Sequence, residues 1–415
     1  MERIVTRTLS CGMPLIVEAM PGVRSVGLTW LLPAGTATQP ADREGLTAML
    51  LEMLHRGAGG LDSRAQADAL DRVGASRSAD AGAYHVRVSA TMLGDRLAEA
   101  LPLIVDMVRR PRFDEDSIEP ARDLAMQSLE SLADNPQERA SIAARARHLP
   151  PPLNRSTLGT ESGITSTTRH EIVAAWRDRA QARGSILALA GAVDPDTAAA
   201  QLDSLLAGWS GEVADASPAA APSRGYAHES DQSNQVQIIV MHDAPAEPHA
   251  DSILEKVAIS VLSGGMSGRL FTEVREKRGL CYSVSAGYSA AKTFGSVVAY
   301  VGTGPDRAQE SLDVLLAELQ RLNSPAGAVT PEEFQRTMVG MKSRVVFAGE
   351  STPARAGSLA YDWHRLGRPR SLAEIASQLD AVTLEALNAY LARRRLGRLT
   401  IQTLGPNTLQ PPAHA

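Results

Sequence analysis

Several features that would assign this 415-residue sequence to a particular class of protein are missing from it. Cysteine occurs only at Cys11 and Cys281, so the sequence predicts neither a disulfide framework nor a cysteine-rich metal site. No apolar run reaches the roughly 18 residues that a membrane-spanning helix needs, and no secretory signal stands at the start. We therefore expect a cytoplasmic protein with no membrane partner, although a periplasmic protein that has lost its signal would give the same sequence.

Basic charge is also scarce. The net charge is −5 and no long run of lysine and arginine occurs, which excludes nucleic acid as the expected partner because phosphate binding needs a concentrated basic surface. The apolar content of 44% and charged content of 21% are typical of a globular protein that buries large cores. A chain of 415 residues is long enough for two domains of about 200 residues each.

The clearest composition shift lies at residues 211–226, where small residues and prolines replace large apolar side chains. We interpret this segment as a linker between an N-terminal domain at 1–210 and a C-terminal domain at 227–415. Both domains contain an alternating strand pattern, a short turn and an amphipathic helix, at 84–108 and again at 297–319. This repetition predicts a duplicated α+β domain.

Local patterns give more detailed predictions in the N-terminal domain. Residues 15–18 and 25–30 are predicted to be strands of a hairpin or meander, and 186–191 a buried strand. Thr168 is predicted to cap the following helix. Pro102 predicts a kink or a late start in the helix that contains it.

Residues 45–57 contain the most informative pattern in the sequence. Apolar residues spaced at i, i+3, i+4, i+7 and i+8 predict a short amphipathic helix that stops near Gly57. The stretch resembles the zinc helix of the pitrilysin and mitochondrial-processing-peptidase family, in which two histidines of an H-x-x-E-H motif bind zinc and the glutamate activates water. Here Ala48 and Glu52 stand at the histidine positions, and Leu51 stands at the glutamate position.

The family's third zinc ligand is a glutamate on a later helix, and this position is altered too. The surrounding pattern resembles the family without a gap, through Phe113, Glu115 and residues 134–136, but the two carboxylate positions hold Gln127 and Ser128. The resemblance extends over residues 1–405. It implies two similar domains, each a mainly antiparallel sheet with helices packed on one face, which together form half of a clamshell. It also implies that this chain holds no catalytic zinc.

A metal site rebuilt elsewhere was considered. Glu52 and His55 lie three residues apart on one predicted helix, but a hydrogen-bonded polar edge explains them equally. The segment 242–249 contains two histidines, an aspartate and a glutamate without the spacing of a metal motif. The remaining histidines are scattered singly, so no metal or other cofactor is expected in this chain.

The C-terminal domain retains its part of the family pattern. Gly264, Gly265 and Gly268 predict a close backbone approach after a helix. The segment that follows resembles the family's substrate-binding element, which implies that Arg275 and Tyr282 bind the substrate carbonyl beside the scissile bond. The alternative is that Arg275 belongs to a solvated charged face and Tyr282 is an ordinary strand aromatic.

The resemblance therefore implies a non-catalytic, substrate-binding subunit of a two-component zinc peptidase. Its partner would be a homologous chain that carries H-x-x-E-H and the zinc, and its substrate a peptide or an unfolded polypeptide. Two alternatives stay open: a structural subunit similar to the core proteins of a respiratory complex, and an active metalloenzyme with relocated ligands.

Overall fold

Two β-sheets organise the chain in the computed structural model, which describes residues 3–411. Each sheet belongs to one of two compact units that are discontinuous in sequence. Unit 1 comprises Met1–Ser131, Pro150–Ala221 and Ala348–Ser371, and unit 2 comprises Leu132–Leu149, Pro222–Phe347 and Leu372–Ala415. The first part of the predicted linker, residues 211–221, therefore lies with unit 1.

Unit 1 contains a six-stranded sheet in the order β1-β2-β6-β3-β5-β4, in which only the β2–β6 pair is parallel. The strands are β1 Arg3–Thr8, β2 Pro14–Ala19, β3 Ser25–Leu32, β4 Ser76–Ala81, β5 Val86–Leu93 and β6 Ile186–Gly191. The helices are α1 Leu46–Leu54, α2 Ser63–Arg72, α3 Leu97–Arg109, α4 Ile118–Glu130, α6 Glu161–Ser166, α7 Arg169–Arg179, α8 Pro195–Leu205 and α12 Thr352–Leu366.

Unit 2 contains a five-stranded sheet in the order β7-β11-β8-β10-β9, in which only the β7–β11 pair is parallel. The strands are β7 Gly225–Ser230, β8 Val236–Ala244, β9 Cys281–Ala290, β10 Gly295–Thr303 and β11 Thr400–Gly405. The helices are α5 Pro136–His148, α9 Ser252–Ser263, α10 Ala308–Arg321, α11 Pro331–Gly349, α13 Leu372–Asp380 and α14 Leu384–Arg393, with a π-helical turn at Phe271–Glu276.

The two sheets have apolar side chains on both faces, and the second face of each is covered by one helix from a distant part of the chain. In unit 1, Ala356, Leu359 and Ala360 of α12 form a buried cluster with residues of β2, β3 and β6. In unit 2, Ala140 and Ala144 of α5 form a similar cluster with β8, β10 and β11. The predicted α+β fold with two similar, mainly antiparallel domains is confirmed. Helices α12 and α5 add to it, because each covers the second face of one sheet.

The repeated strand, turn and helix are confirmed in both units. Strand β5 is followed by a 3-10 turn at Gly94–Arg96 and then α3, and β10 is followed by a 3-10 turn at Pro305–Arg307 and then α10. Each helix buries its apolar face because leucine, valine and alanine recur at helical spacing. No helix within residues 3–411 combines the length and the apolar composition needed to cross a membrane.

The local predictions had mixed outcomes. Thr168 caps α7, as predicted, and the structure shows that it forms a full capping box with Glu171. The predicted hairpin between 15–18 and 25–30 is wrong, since β6 lies between β2 and β3. The late start at Pro102 is also wrong, because α3 begins at Leu97. Pro102 cannot donate a hydrogen bond to the Ala98 carbonyl, and the side chain of Gln201 donates to that carbonyl at 2.7 Å.

Candidate functional site

Helix α1 has the length and packing that its sequence predicts. Gly45 precedes it with a φ of 155°, and the backbone nitrogen of Ile164 lies 2.5 Å from where a Cβ of residue 45 would stand. Only glycine fits at that position. The helix buries its apolar stripe in the core of unit 1, packs beside α4 and ends at Leu54, three residues before Gly57.

In the family that this chain resembles, five positions correspond to the zinc ligands, the base and the paired carboxylate, and here they do not hold a complete set of ligands. Ala48 and Leu51 are half-buried and pack against the unit 1 core, and neither has a donor atom. Glu52 is half-buried as well, and burial raises the pKa of its carboxyl group. On α4, Gln127 and Ser128 are exposed, and the Ser128 hydroxyl donates to the Leu124 carbonyl at 2.8 Å. A catalytic zinc with three protein ligands does not fit these residues.

The first alternative metal site is not supported by the structure. His55 is half-buried, and burial together with the charge of Arg77 lowers its pKa. Within residues 3–411, neither Glu52 nor His55 belongs to a group of three His, Cys, Asp or Glu side chains close enough to hold an ion.

The second alternative, residues 242–249, belongs to a network of hydrogen bonds and ion pairs in unit 2. His242 is buried, and its Nε2 lies 3.2 Å from Nη2 of Arg394, whose guanidinium is paired with Glu255. Burial, with the nearby Arg394 charge, lowers the pKa of His242 to about 3. Glu247 accepts from Lys256 at 2.6 Å. These contacts give the polar residues of this segment a structural role.

Arg275 occupies an exposed π-helical turn. Lys277 and Arg278, directly after this turn, both pair with Glu273, at 2.7 and 2.8 Å. Arg275 differs from them: its guanidinium lies over the Phe271 ring, 4.8 Å from the ring centroid, and no described carboxylate forms an ion pair with it. The charged segment thus has one guanidinium whose donors are available to a ligand.

Tyr282 is the second residue of β9, an edge strand of the unit 2 sheet, and its side chain is 87% exposed. It lines a cleft of about 430 Å³ together with residues 234–235, 279–281 and 302–304 and with Arg307. Among the described residues, none forms a hydrogen bond with its hydroxyl. The neighbouring Cys281 is half-buried, which raises the pKa of its thiol, while the charge of Arg275 acts in the opposite direction.

The three predicted glycines form the turn that leads into this element. A Cβ at Gly264 would stand 2.3 Å from the Ser260 carbonyl oxygen, and one at Gly268 would stand 2.8 Å from the Leu262 carbonyl oxygen. Gly265 has a φ of 152°. The close approach is therefore to the end of α9 itself, and these glycines shape the chain reversal between α9 and the π-helical turn.

Two features of the structure were not predicted from the sequence. Arg269 is buried two residues before the π-helical turn, where it donates to both carboxylate oxygens of Glu333 at 2.7 Å and to the Gly327 carbonyl at 2.7 Å. It anchors the turn that carries Arg275. His85 and His364 are brought together with Asp215, although they are far apart in sequence. No local motif signals either arrangement.

Comparisons with known proteins agree with this architecture. The profile described as insulinase, peptidase family M16, matches residues 16–161, and the profile described as peptidase M16 inactive domain matches residues 167–339. The uncharacterized zinc protease YmxG of Bacillus subtilis is 24% identical over 397 residues, which cover 93% of this chain and 94% of YmxG.

Solved structures with the same fold include a peptidase M16 inactive domain from Pseudomonas fluorescens, with a TM-score of 0.84, 21% identity and 99% of both chains covered. A chain of complex III2 from Candida albicans, solved with Inz-5 bound, has a TM-score of 0.82 and 15% identity, with 97% of this chain and 96% of that chain covered. The chain therefore belongs to the pitrilysin-like peptidase family M16.

Proposed function

We propose that this protein is the non-catalytic, substrate-binding subunit of a two-component zinc peptidase that acts on peptides or unfolded polypeptides. Its partner would be a homologous family member that carries the complete zinc motif. The observation that carries the proposal is an asymmetry between the two units. In unit 1, the family's ligand and base positions hold Ala48, Leu51, Glu52, Gln127 and Ser128, which cannot supply three zinc ligands and a base, whereas unit 2 presents Arg275 and Tyr282 to solvent.

The chemistry of these two residues supports substrate binding. A guanidinium offers up to five donors and keeps its charge, so Arg275 can bind a substrate carbonyl oxygen in the ground state. A phenol hydroxyl can donate to the same oxygen as negative charge develops on it. Within residues 3–411, neither side chain forms an ion pair or a hydrogen bond with its own chain. The substrate therefore does not have to displace such a contact when it binds.

The zinc would have to be held by the partner, because the α1 and α4 positions of this chain do not fit a catalytic ion. This chain's contribution would be limited to holding and orienting the substrate. A water-activating base is absent from the corresponding position here, since Leu51 replaces the family's glutamate.

The test is steady-state kinetics on the complex reconstituted with a zinc-bearing homologue. We expect Tyr282→Phe to lower kcat by about 10²–10³, the typical effect of removing one oxyanion donor. Arg275→Ala should raise KM and lower kcat together, because its contact forms in the ground state and strengthens as negative charge develops in the transition state. Neither change should alter the zinc content or the size of the complex.

Two matched controls lie in the same segments. Lys277→Ala removes a charge two residues after Arg275, but that lysine is already paired with Glu273. Tyr288→Phe removes a hydroxyl from the same strand, where it donates to the Pro245 carbonyl at 2.6 Å. Both controls should retain wild-type kinetics. Wild-type kinetics from Tyr282→Phe and Arg275→Ala as well would contradict the substrate-binding role.

A structural subunit is the second candidate, and the similarity in fold to a chain of complex III2 favours it. It makes a different prediction for the same experiment. A purely structural subunit would form a stable complex in which every substitution at Arg275 and Tyr282 is silent, whereas the substrate-binding subunit would form a complex in which those substitutions impair turnover.

A further inference from the structure

Unit 1 contains a group of potential metal ligands that lies outside the zinc helix. His85, Asp215 and His364 each place one donor atom within 4.8 Å of the other two. The two imidazole rings are perpendicular, with an interplanar angle of 88° and centroids 4.5 Å apart. His85 is buried, His364 is half-buried and Asp215 is exposed, so the group opens to solvent on the aspartate side.

The segment that carries His85 is fixed by backbone hydrogen bonds. His85 lies in the tight connection between β4 and β5, where its carbonyl accepts from Gly82 at 2.8 Å. The neighbouring residues pair with the segment after β3: Gly35 donates to Tyr84 at 3.1 Å, and Ala37 donates to Ala83 at 3.0 Å. This ring therefore stands on a well-supported turn.

The segment that carries His364 is fixed by packing and by ion pairs. His364 lies in the last turn of α12, and the capping residue that follows the helix, Gly367, has a φ of 70°. Asp362 in the same turn accepts from Arg370 at 2.6 and 3.0 Å. One turn earlier, the apolar side of α12 is buried on the sheet. The two histidines are thus positioned independently of any ion.

Asp215 lies on the segment that the sequence identifies as a linker, and this part of it is attached to unit 1 at both ends. On one side, Arg183 donates to Gly211 at 3.0 Å and Val213 donates to Arg183 at 3.2 Å. On the other side, Ala219 donates to Pro151 at 2.7 Å. These contacts fix the backbone on both sides of Asp215, whose side chain is exposed.

We propose that His85, Asp215 and His364 form a binding site for a divalent transition-metal ion, with Zn²⁺ as the ion that suits them best. Two imidazoles and one carboxylate are a donor set that zinc accepts, with water in the fourth position. Mg²⁺ and Ca²⁺ prefer sites built from oxygen ligands. Bonds of about 2.1 Å in a tetrahedral site place ligand atoms about 3.4 Å apart, so the three donor atoms, which lie within 4.8 Å of one another, would have to close to about that distance when the ion binds.

The bound ion would join three segments that are remote in sequence: the β4–β5 connection, the linker and α12. It would tie the linker and a helix from the C-terminal half of the chain to the unit 1 sheet. This role is structural and does not depend on the proposed peptidase function. The proposed site departs from the expectation that this chain holds no metal. That expectation was based on histidines that are scattered singly along the sequence.

The test uses the full chain after chelator treatment, with Zn²⁺ measured by calorimetry and Co²⁺ by its visible absorption. We expect one ion per chain and an increase in melting temperature of about 5 °C at saturating Zn²⁺. Asp215→Asn should weaken binding by at least about 10-fold, and His85→Gln or His364→Gln by at least about 100-fold.

The controls are His170→Gln on α7 and Asp123→Asn on α4, both exposed in the same unit, and they should bind as the wild type does. Asp215→Asn changes only an exposed side chain, so it tests the site even if a histidine variant fails to fold. Absence of binding by the folded wild type, or binding that survives all three substitutions, would overturn the proposal. Neither result bears on the kinetics of Arg275 and Tyr282.

Discussion

At the scale of the residue, environment decides what each histidine does. His242 is buried between Arg394, Glu255 and the Asp243 carbonyl, to which its Nδ1 donates at 2.8 Å, so its Nε2 is the acceptor that faces Arg394. His148 is buried too, with its Nδ1 3.0 Å from the Thr400 hydroxyl. Burial, assisted by the charge of Arg224, lowers the pKa of His148 to about 4.

These two histidines predict a loss of stability in acid. Their pKa values of about 3 and about 4 in the folded chain lie below the ordinary value of 6.5, so the unfolded chain binds more protons between those values. The free energy of unfolding should therefore fall as the pH drops below about 6.5, by about 2 kcal/mol for each histidine at pH 4.5.

Denaturant unfolding at pH 7 and pH 4.5 measures this loss for the wild type and for His148→Gln, His242→Gln and His170→Gln. The first two substitutions should reduce the pH dependence. His170 is exposed, so its replacement should leave the dependence unchanged. Equal pH dependence in all four proteins would show that other groups, such as the paired carboxylates, are responsible.

At the scale of the element, the exchanged helices α5 and α12 distinguish this fold from two domains placed in series. Helix α12 is held to unit 1 by apolar packing and by a fully buried ion pair between Arg355 and Glu18 of β2. Its first residues lie directly against β3. A Cβ at Gly27 would stand 2.4 Å from the Thr352 carbonyl carbon and 2.5 Å from the Pro353 nitrogen.

Gly27→Ala should therefore displace the start of α12 and lower the free energy of unfolding of unit 1 by about 1–3 kcal/mol, because backbone atoms cannot rotate away. Gly287→Ala on β9 is the matched control. No atom lies within 4 Å of the added methyl group there, so stability should stay equal or rise by up to about 1 kcal/mol. Denaturant titration of both variants measures the difference, and equal stabilities would contradict the close packing of α12.

At the scale of the whole molecule, we propose that this chain is one of the two subunits of an enzyme. It lacks the zinc ligands, and it exposes Arg275 and Tyr282. We expect the isolated chain to hydrolyse no peptide, even with added Zn²⁺, since α1 and α4 supply no catalytic site. Activity should appear on addition of a zinc-bearing homologue and reach its maximum at a ratio of one chain to one.

Titration of activity against chain ratio, with light scattering in parallel, measures this dependence. A specific assembly should bury at least about 1,000 Å². Chelator-sensitive hydrolysis by this chain alone would support relocated ligands instead. A homologue that is fully active alone and does not associate would contradict the two-component proposal.

The sequence alone was sufficient for the elements whose signals are local. Apolar periodicity defined α1, α3 and α10, and Thr168 defined the start of α7. The missing donors at Ala48 and Leu51 could be read directly, because a side chain without nitrogen, oxygen or sulfur cannot bind zinc in any fold. The presence of Arg275 and Tyr282 was equally visible, although their substrate role stays a prediction.

Tertiary structure alone decided which distant segments meet. Strand β6 lies between β2 and β3. Helix α5, from the N-terminal half of the chain, belongs to unit 2, and helix α12, from the C-terminal half, belongs to unit 1. His85 lies close to Asp215 and His364. Such pairings depend on the free energy of burying complementary apolar faces, summed over many residues. Spacing along the chain does not encode that sum, so histidines that are single in sequence become neighbours only in the folded protein.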